Sequence, residues 1–496
     1  MQQPVVSYAN TVAGHRTLAG DGRTFESYDP YSGEPWALIP RCSSSDVDAA
    51  VTAAREAFHG PAWHGLTATA RGKLLTQLSL LIAQEAERLA AIEVRDNGKL
   101  MQEMLTQLRY IPEWYRYFGG LADKLQGGLL PIDKAGMHAY TRREPLGVIA
   151  CITPWNSPLL LLTWKLAPAL AAGNTVVIKP SEHASASTLA FVELFEQAGF
   201  PPGVVNTVTG LPDEVGTPLV RHPQVAKVAF TGGEAGGLAV YKLAAEGLKH
   251  VSLELGGKSP NIIFDDAKID NAVNGAVSGI FAATGQTCIA GSRLLVHRKV
   301  HDEVVDKLVR LARTARIGDP KRSDTQVGPV TTRQQRQRVL DYIGIARDAG
   351  AQCVLGGGIP KDEALGQGWF VEPTVFTKVD NSMRIAQEEV FGPVLAVIPF
   401  EDEAEALSIA NASPYGLAAG VWTTDIGRAI RMSDRLEAGT VWVNCYRAIS
   451  FMAPFGGYKR SGLGRESGIE AIDGYLQTKS VFIDTEGQMA NPFVIR

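Results

Sequence analysis

The sequence predicts an α/β protein built on two parallel sheets, and three observations carry that expectation. From residue 146 onward, short apolar runs alternate with longer helical stretches in units of roughly 30 residues, the rhythm of strand, crossover helix and parallel strand. A second series of the same kind opens at Pro260. The chain of 496 residues is well past the size at which one core keeps growing, so two or three domains are expected.

Taken in order, residues 46–108 have helical spacing. Val47, Ala50, Val51, Ala54 and Phe58 fall on one face, and residues 73–95 repeat the pattern with Leu and Ile, so the chain is expected to start all-helical. Residues 148–152 form a strand of buried type, 159–171 a helix, 175–178 a strand and 184–198 a helix. Strands at 204–208, 225–230 and 251–253 complete the first block. In the second, a strand at 260–264 leads to a helix at 267–281, a strand at 294–296 and a helix at 300–313. Strands follow at 374–376, 395–400 and 441–443. Two stretches, 127–143 and the end of the chain around 479–483, fit neither block and read as exposed strands in need of a partner.

Composition narrows the function. Hydrophobic residues at 45%, charged residues at 20% and a mean hydropathy of -0.01 describe an ordinary globular protein. With 48 basic against 52 acidic residues, net -4, there is no footprint for nucleic acid or an anionic membrane, and small-molecule chemistry is expected. Cys42, Cys151, Cys288, Cys353 and Cys445 are odd in number and scattered without CxxC spacing. That argues against disulfides and structural zinc, so a reducing compartment and no metal site are expected. Residues 1–10 lack a basic segment followed by an apolar run, and the most apolar run, 159–173, carries Lys165 and Pro168 and is too short to span a bilayer. A cytoplasmic location is expected.

The candidate chemistry centres on residues 251–293. Glu254 ends an apolar run before Gly256-Gly257, where desolvation would raise its pKa into the range of a general base; a surface carboxylate at a strand end reads equally well. Cys288 lies in Gly285-Gln286-Thr287-Cys288, open to close approach by a carbonyl carbon, and the local setting favours a nucleophile over a small buried hydrophobe. Asn156, in Pro154-Trp155-Asn156-Ser157-Pro158 after the first strand, sits where ligands bind and carries an amide suited to an oxyanion, although a turn-forming Asn accounts for it alone. Lys179 and Glu182 follow the next strand, placed to share ribose hydroxyls or to open a helix with solvated charges. Gly232-Gly233 precedes a helix whose amides suit a pyrophosphate, without the GxGxxG spacing.

Together these fragments resemble one family. LELGGKSPNIIF at 253–264, FAATGQTC at 281–288, Pro154-Trp155-Asn156, Lys179-Pro180-Ser181-Glu182, Glu388-Glu389-Val390-Phe391-Gly392-Pro393 and Pro454-Phe455-Gly456-Gly457 occur in the order used by NAD(P)-dependent aldehyde dehydrogenases, over nearly the whole chain. The resemblance implies a Rossmann-type cofactor domain (1–126 and 146–256), an α/β catalytic domain (257–460) and a β-arm (127–145 and 475–496) that builds a homodimer or homotetramer.

It also implies roles. Cys288 would be the nucleophile, Glu254 the base, Asn156 with the Cys288 amide the oxyanion hole, and Lys165 and Glu466 a proton relay behind the base. The coenzyme would be held by Ile152, Trp155, Lys179, Ser181, Glu182, Thr231, Gly232, Gly233, Leu255, Glu389 and Phe391. The aldehyde would lie among Ser157, Leu160, Leu161, Trp164, Thr287, Ile289, Arg447, Ile449 and Phe455. Glu182 would repel a 2′-phosphate, which points to NAD, and Lys179 leaves NADP open. The implied reaction is addition of the thiolate to the aldehyde, hydride transfer from the thiohemiacetal, and hydrolysis of the thioester. The presence of Glu254 implies water rather than coenzyme A as the acyl acceptor. Departures from the family are Gly233 where many members have serine, Ser157 where many have phenylalanine, and Arg447 and Ile449 where acidic and aromatic residues are common. Gly233 implies weaker contact with the pyrophosphate, and the other three imply a tunnel that is less aromatic and more cationic, suited to a substrate with a carboxylate or other polar end.

Overall fold

The computed structural model describes residues 5–487 and 492–493. Residues 1–4 of the expected cofactor domain, and 488–491 and 494–496 of the expected arm, lie outside the described residues.

The described residues do not start with helix. Val6–Ser7, Pro35–Pro40 and Thr24–Tyr28 form a three-stranded sheet, in that order, ahead of the helix Ser44–His59. These strands are too short for alternation to declare itself. They are held by tertiary contact, with Trp36, Ala37 and Ile39 packed on Ala186 and Leu189. Two long helices follow, α1 (Ala68–Asn97) and α2 (Met101–Leu121). Thr67 caps α1 by accepting from the Ala70 amide, and Gly98, at φ +76°, ends it in the left-handed conformation that glycine adopts without strain.

The first large sheet contains β1 (Val148–Ile152), β2 (Thr175–Lys179), β3 (Val205–Thr207), β4 (Val225–Thr231) and β5 (His250–Glu254). They are parallel in the order β3-β2-β1-β4-β5, with Gly462–Leu463 added antiparallel beyond β5. Helix α3 (Pro158–Ala171), buried along its whole length, follows β1, and α4 (Glu234–Glu246) follows β4. The strand order reverses between β1 and β4, and the crevice outside the carboxyl ends at such a reversal is where open α/β sheets bind ligands.

The second sheet contains β6 (Pro260–Ile263), β7 (Arg293–His297), β8 (Gln352–Leu355), β9 (Thr374–Thr377), β10 (Val394–Phe400), β11 (Ala418–Trp422) and β12 (Thr440–Val443). Their order is β8-β9-β10-β7-β6-β11-β12, with only β8 antiparallel. Strand β11, Ala-Ala-Gly-Val-Trp, is not evident from the sequence because its small residues answer to crowding: a Cβ on Gly420 would lie 2.6 Å from Asn261 Oδ1. Helix α5 (Arg333–Asp348), rich in Arg and Gln, is equally unannounced.

The two segments left without partners find each other. Met137–Pro145 pairs antiparallel with Leu476–Asp484 over the full length of both strands, and Leu129–Leu130 adds a short third strand. Among the described residues, no helix is long and apolar enough to cross a membrane.

Candidate active site

Register brings the predicted residues to one rim. Ile152 at the end of β1 pairs with Lys179 of β2 and Phe230 of β4, and Thr231 pairs with Glu254 of β5. A cavity of about 920 Å³ opens there, and all eleven residues expected to hold the coenzyme line it, from Ile152 to Phe391, together with Asn156, Leu161, Glu254 and Cys288. The cavity fits a dinucleotide. Gly233 caps α4, and a Cβ built on it would meet no atom within 4 Å, so the helix N-terminus faces open space. Lys179 is buried and lies 3.5 Å from Glu182, so both groups are held at the same end of the cavity. At the other end Trp155 meets the edge of Phe391 (centroids 5.3 Å apart, 89°), and Glu389 accepts from the Gly257 amide at 3.1 Å. Burial pushes the Glu389 carboxyl up to about 7.

The acid and the thiol line the same cavity. From β5 the chain runs through Gly256-Gly257, and a Cβ on Gly257 would lie 2.8 Å from the Cys288 carbonyl oxygen, so glycine permits the two segments to touch. Glu254 is buried, and neither carboxylate oxygen has a hydrogen-bond partner. Desolvation, then the nearby Glu466 charge, raise its pKa well above the ordinary carboxylate range. Behind it the buried Lys165 ammonium donates to Thr231 Oγ1 at 2.6 Å and pairs with Glu466. Thr231 thus lines the cavity while its hydroxyl is engaged by Lys165. The Cys288 thiol is pushed up to about 12 by burial and by the charges of Glu389 and Glu254, so the resting geometry holds it protonated. Asn156 donates one amide hydrogen to the Gln286 carbonyl at 2.9 Å, tying the loop after β1 to the cysteine loop.

The comparisons with known proteins decide the family. Residues 17–481 match the model of the aldehyde dehydrogenase family. The chain belongs to the aldehyde dehydrogenase family. Among curated relatives, a (Z)-2-((N-methylformamido)methylene)-5-hydroxybutyrolactone dehydrogenase of Acinetobacter baylyi is 46% identical, over 95% of this chain and 96% of that protein. A betaine aldehyde dehydrogenase of Mesorhizobium japonicum is 43% identical over 94% of each. Among solved structures, the betaine aldehyde dehydrogenase of Staphylococcus aureus in complex with NAD+ superposes with a TM-score of 0.97 at 40% identity, covering 99% of this chain and 97% of that one. An NAD+ complex of an aldehyde dehydrogenase from Bacillus cereus gives 0.94 at 44% identity, over 96% of each chain.

Beside Cys288, this aldehyde dehydrogenase packs apolar and aromatic side chains. Cys288, Ile289, Ile449 and Phe451 pack against the cluster that holds Leu160, Leu161, Trp164 and Phe455. Trp164 stacks on Trp114 and lies 4.9 Å from Phe455, and Phe451 touches Tyr110, Trp114 and Tyr117. Aromatic packing beside Cys288 thus comes from Trp164, Phe451, Phe455 and helix α2. Thr287 is half-buried with an unbonded hydroxyl, and Arg447 donates to the Ser278 carbonyl at 3.3 Å from a backbone at φ +66°.

Sequence reasoning missed several residues. Arg338 and Gln335 of α5 brace the 389–391 segment by donating to the carbonyls of Glu389, Val390 and Phe391. Tyr415 and Arg460 both engage Glu234 in the first turn of α4. Lys99 donates to Ser157 Oγ at 2.7 Å, and Glu103 accepts from the Ala283 amide at 2.7 Å. An Arg/Gln-rich helix with no glycine-marked loop gives no signal for the first group, and the partners of the others are far away in sequence.

Proposed function

We propose that the protein oxidises an aldehyde to the carboxylic acid with NAD as coenzyme, through a covalent adduct on Cys288. The observation that carries this reading is that Glu254 and Cys288 both line one dinucleotide-sized cavity. Bound NAD supplies the hydride acceptor. Cys288 gives up its thiol proton to solvent and adds to the carbonyl carbon, and the second amide hydrogen of Asn156 stabilises the oxyanion, an effect worth roughly 3 kcal/mol per donor in comparable sites; collapse of the oxyanion would release the hydrogen of the adduct carbon as hydride to that acceptor. The thioester left on Cys288 is hydrolysed by water from which Glu254 takes a proton, passed on through Glu466 and Lys165. The Lys179–Glu182 pair fixes a carboxylate at the ribose end and favours NAD over NADP.

The domain assignment rests on the same geometry: residues 146–256 hold five strands of the first sheet, and 257–460 hold the whole of the second. For the substrate, we propose an aldehyde with a carboxylate or other polar end. Arg447, which donates to the Ser278 carbonyl at 3.3 Å and acts on the charge of Lys99, is the cation that would meet such an end and disfavour a cationic aldehyde such as betaine aldehyde.

The test is NADH formation with aliphatic, aromatic, amino- and carboxy-aldehydes, for wild type, Cys288→Ser and Arg447→Ala. Loss of activity in Cys288→Ser is expected, and equal activity there would remove Cys288 from its role. Arg447→Ala should lower kcat/KM for carboxy-aldehydes relative to neutral ones; an unchanged ratio would sink the substrate proposal.

A further inference from the structure

The thiol loop is held in a strained form. Ala283, Thr284 and Gly285 are consecutive left-handed residues (φ +52°, +54° and +70°), and two of them carry a Cβ. Such conformations cost on the order of 1 kcal/mol or more each and persist only where the surroundings impose them. On the N-terminal side this turn meets Glu103, in the first turn of α2. One of its oxygens accepts from the Ala283 amide, and the other is buried without a hydrogen-bond partner.

The same stretch of chain holds the opposite wall. Lys99, fully buried between α1 and α2, donates to Ser157 Oγ, next to Asn156, and Glu93 near the end of α1 accepts from the Leu159 amide in the first turn of α3 at 3.0 Å. After burial, Glu103 exerts the largest influence on the Lys99 ammonium and favours its charge; Glu93 and Cys288 also favour it, and Arg447 opposes it. Residues 93–103 therefore touch the loop of the oxyanion amide and the loop of the thiol.

We infer that Lys99 and Glu103 are positioning residues of the reaction centre, a brace that fixes Ser157 beside Asn156 and the left-handed turn ahead of Cys288 relative to each other. This rests on the reading of Cys288 as nucleophile. The brace works without touching substrate or coenzyme. Glu103 holds the turn by its acceptor oxygen, and Lys99 holds Ser157 by donating to its hydroxyl.

Two readouts test it: alkylation of Cys288 by iodoacetamide across pH in the absence of coenzyme, and the pre-steady-state burst of NADH with NAD. Glu103→Ala should slow both by about tenfold, the scale of a small misplacement of a reacting group, while NAD affinity and melting temperature stay near wild type. Glu103→Gln, which keeps an acceptor for Ala283, should restore most of the loss. Lys99→Met, which removes the donor to Ser157, should slow both likewise, and Lys99→Arg should restore part of the loss. The brace is refuted if Glu103→Ala and Lys99→Met react like wild type, if Glu103→Gln is as impaired as Glu103→Ala, or if the losses only parallel losses of NAD affinity and melting temperature. Cys288→Ser is the control: an undiminished burst there would remove the nucleophile and the brace with it.

Discussion

Glu254 is buried, has no hydrogen-bond partner and shares its surroundings with Glu466, three conditions that all oppose its charge. Its pKa is raised, so the proton leaves only as pH climbs past the ordinary carboxylate range, and general-base activity climbs with it. Steady-state kcat should therefore rise toward alkaline pH. Glu254→Gln should lose that rise and the turnover while keeping a burst of about one NADH per site, as stopped-flow absorbance would show; loss of the burst as well would mean that Glu254 also activates the thiol. The same shift has a sign for stability. An acid whose folded pKa is raised binds its proton more tightly in the fold, so its contribution to stability falls as pH rises through the window between the unfolded and folded values. The melting temperature of Glu254→Gln relative to wild type should thus increase with pH, and calorimetry at several pH values checks it.

Gly233 gives a second prediction for a single residue. A Cβ there meets nothing, so Gly233→Ser adds a hydroxyl beside the α4 N-terminus without displacing an atom. One added hydrogen bond is worth about 1 kcal/mol, so the Kd for NAD should fall about fivefold in a fluorescence titration; unchanged or weaker binding would show that the hydroxyl finds no partner. Legibility at this scale follows from how a residue is flagged. Glu254 and Cys288 stand beside glycines that exist to let segments touch. Lys99 and Glu103 act on partners 58 and 180 positions away and stand in helix-forming sequence that explains them without any role.

At the scale of elements, the strand and helix series of the first block was legible because parallel strands buried on both faces are continuous apolar runs. The N-terminal sheet and β11 were not, because tertiary contacts and the need for small side chains override strand propensity there. The turn at 283–285 belongs to the same class: nothing in Ala-Thr-Gly announces three left-handed residues. Its geometry is nonetheless demanding. A Cβ on Gly285 would lie 2.1 Å from the Gly392 carbonyl oxygen, and the backbone is at φ +70°. Gly285→Ala should shift the cysteine loop away from the segment that carries Glu389 and Phe391, and kcat/KM should drop about a hundredfold, the cost of an ångström-scale misplacement. Steady-state assays beside thermal unfolding would separate this from collapse, and activity within a few-fold of wild type would show that the loop relaxes.

At the scale of the whole molecule, the arm sets the expectation of assembly. Among the described residues, the order of the three-stranded sheet places Leu476–Asp484 on an outer edge, a nine-residue run with no strand beyond it on the side away from Met137–Pro145. Phe482 and Ile483 stand on it 59% and 45% exposed. A long, apolar, unpaired edge is a liability in a lone chain and a pairing surface in an oligomer. Its attachment is firm: Lys227 of β4 donates to the Gly474 carbonyl at 2.7 Å and lies over the Tyr475 ring, just before the edge strand begins. A partner docked on the arm would thus be anchored to the sheet that lines the coenzyme cavity. The wild-type protein should therefore run as a dimer or tetramer in light scattering after size exclusion. Phe482→Asp with Ile483→Asp should shift it to smaller species without weakening NAD binding, since neither residue lines the cavity. A monomeric wild type, or a double variant of unchanged mass, would take the assembly role away from this edge.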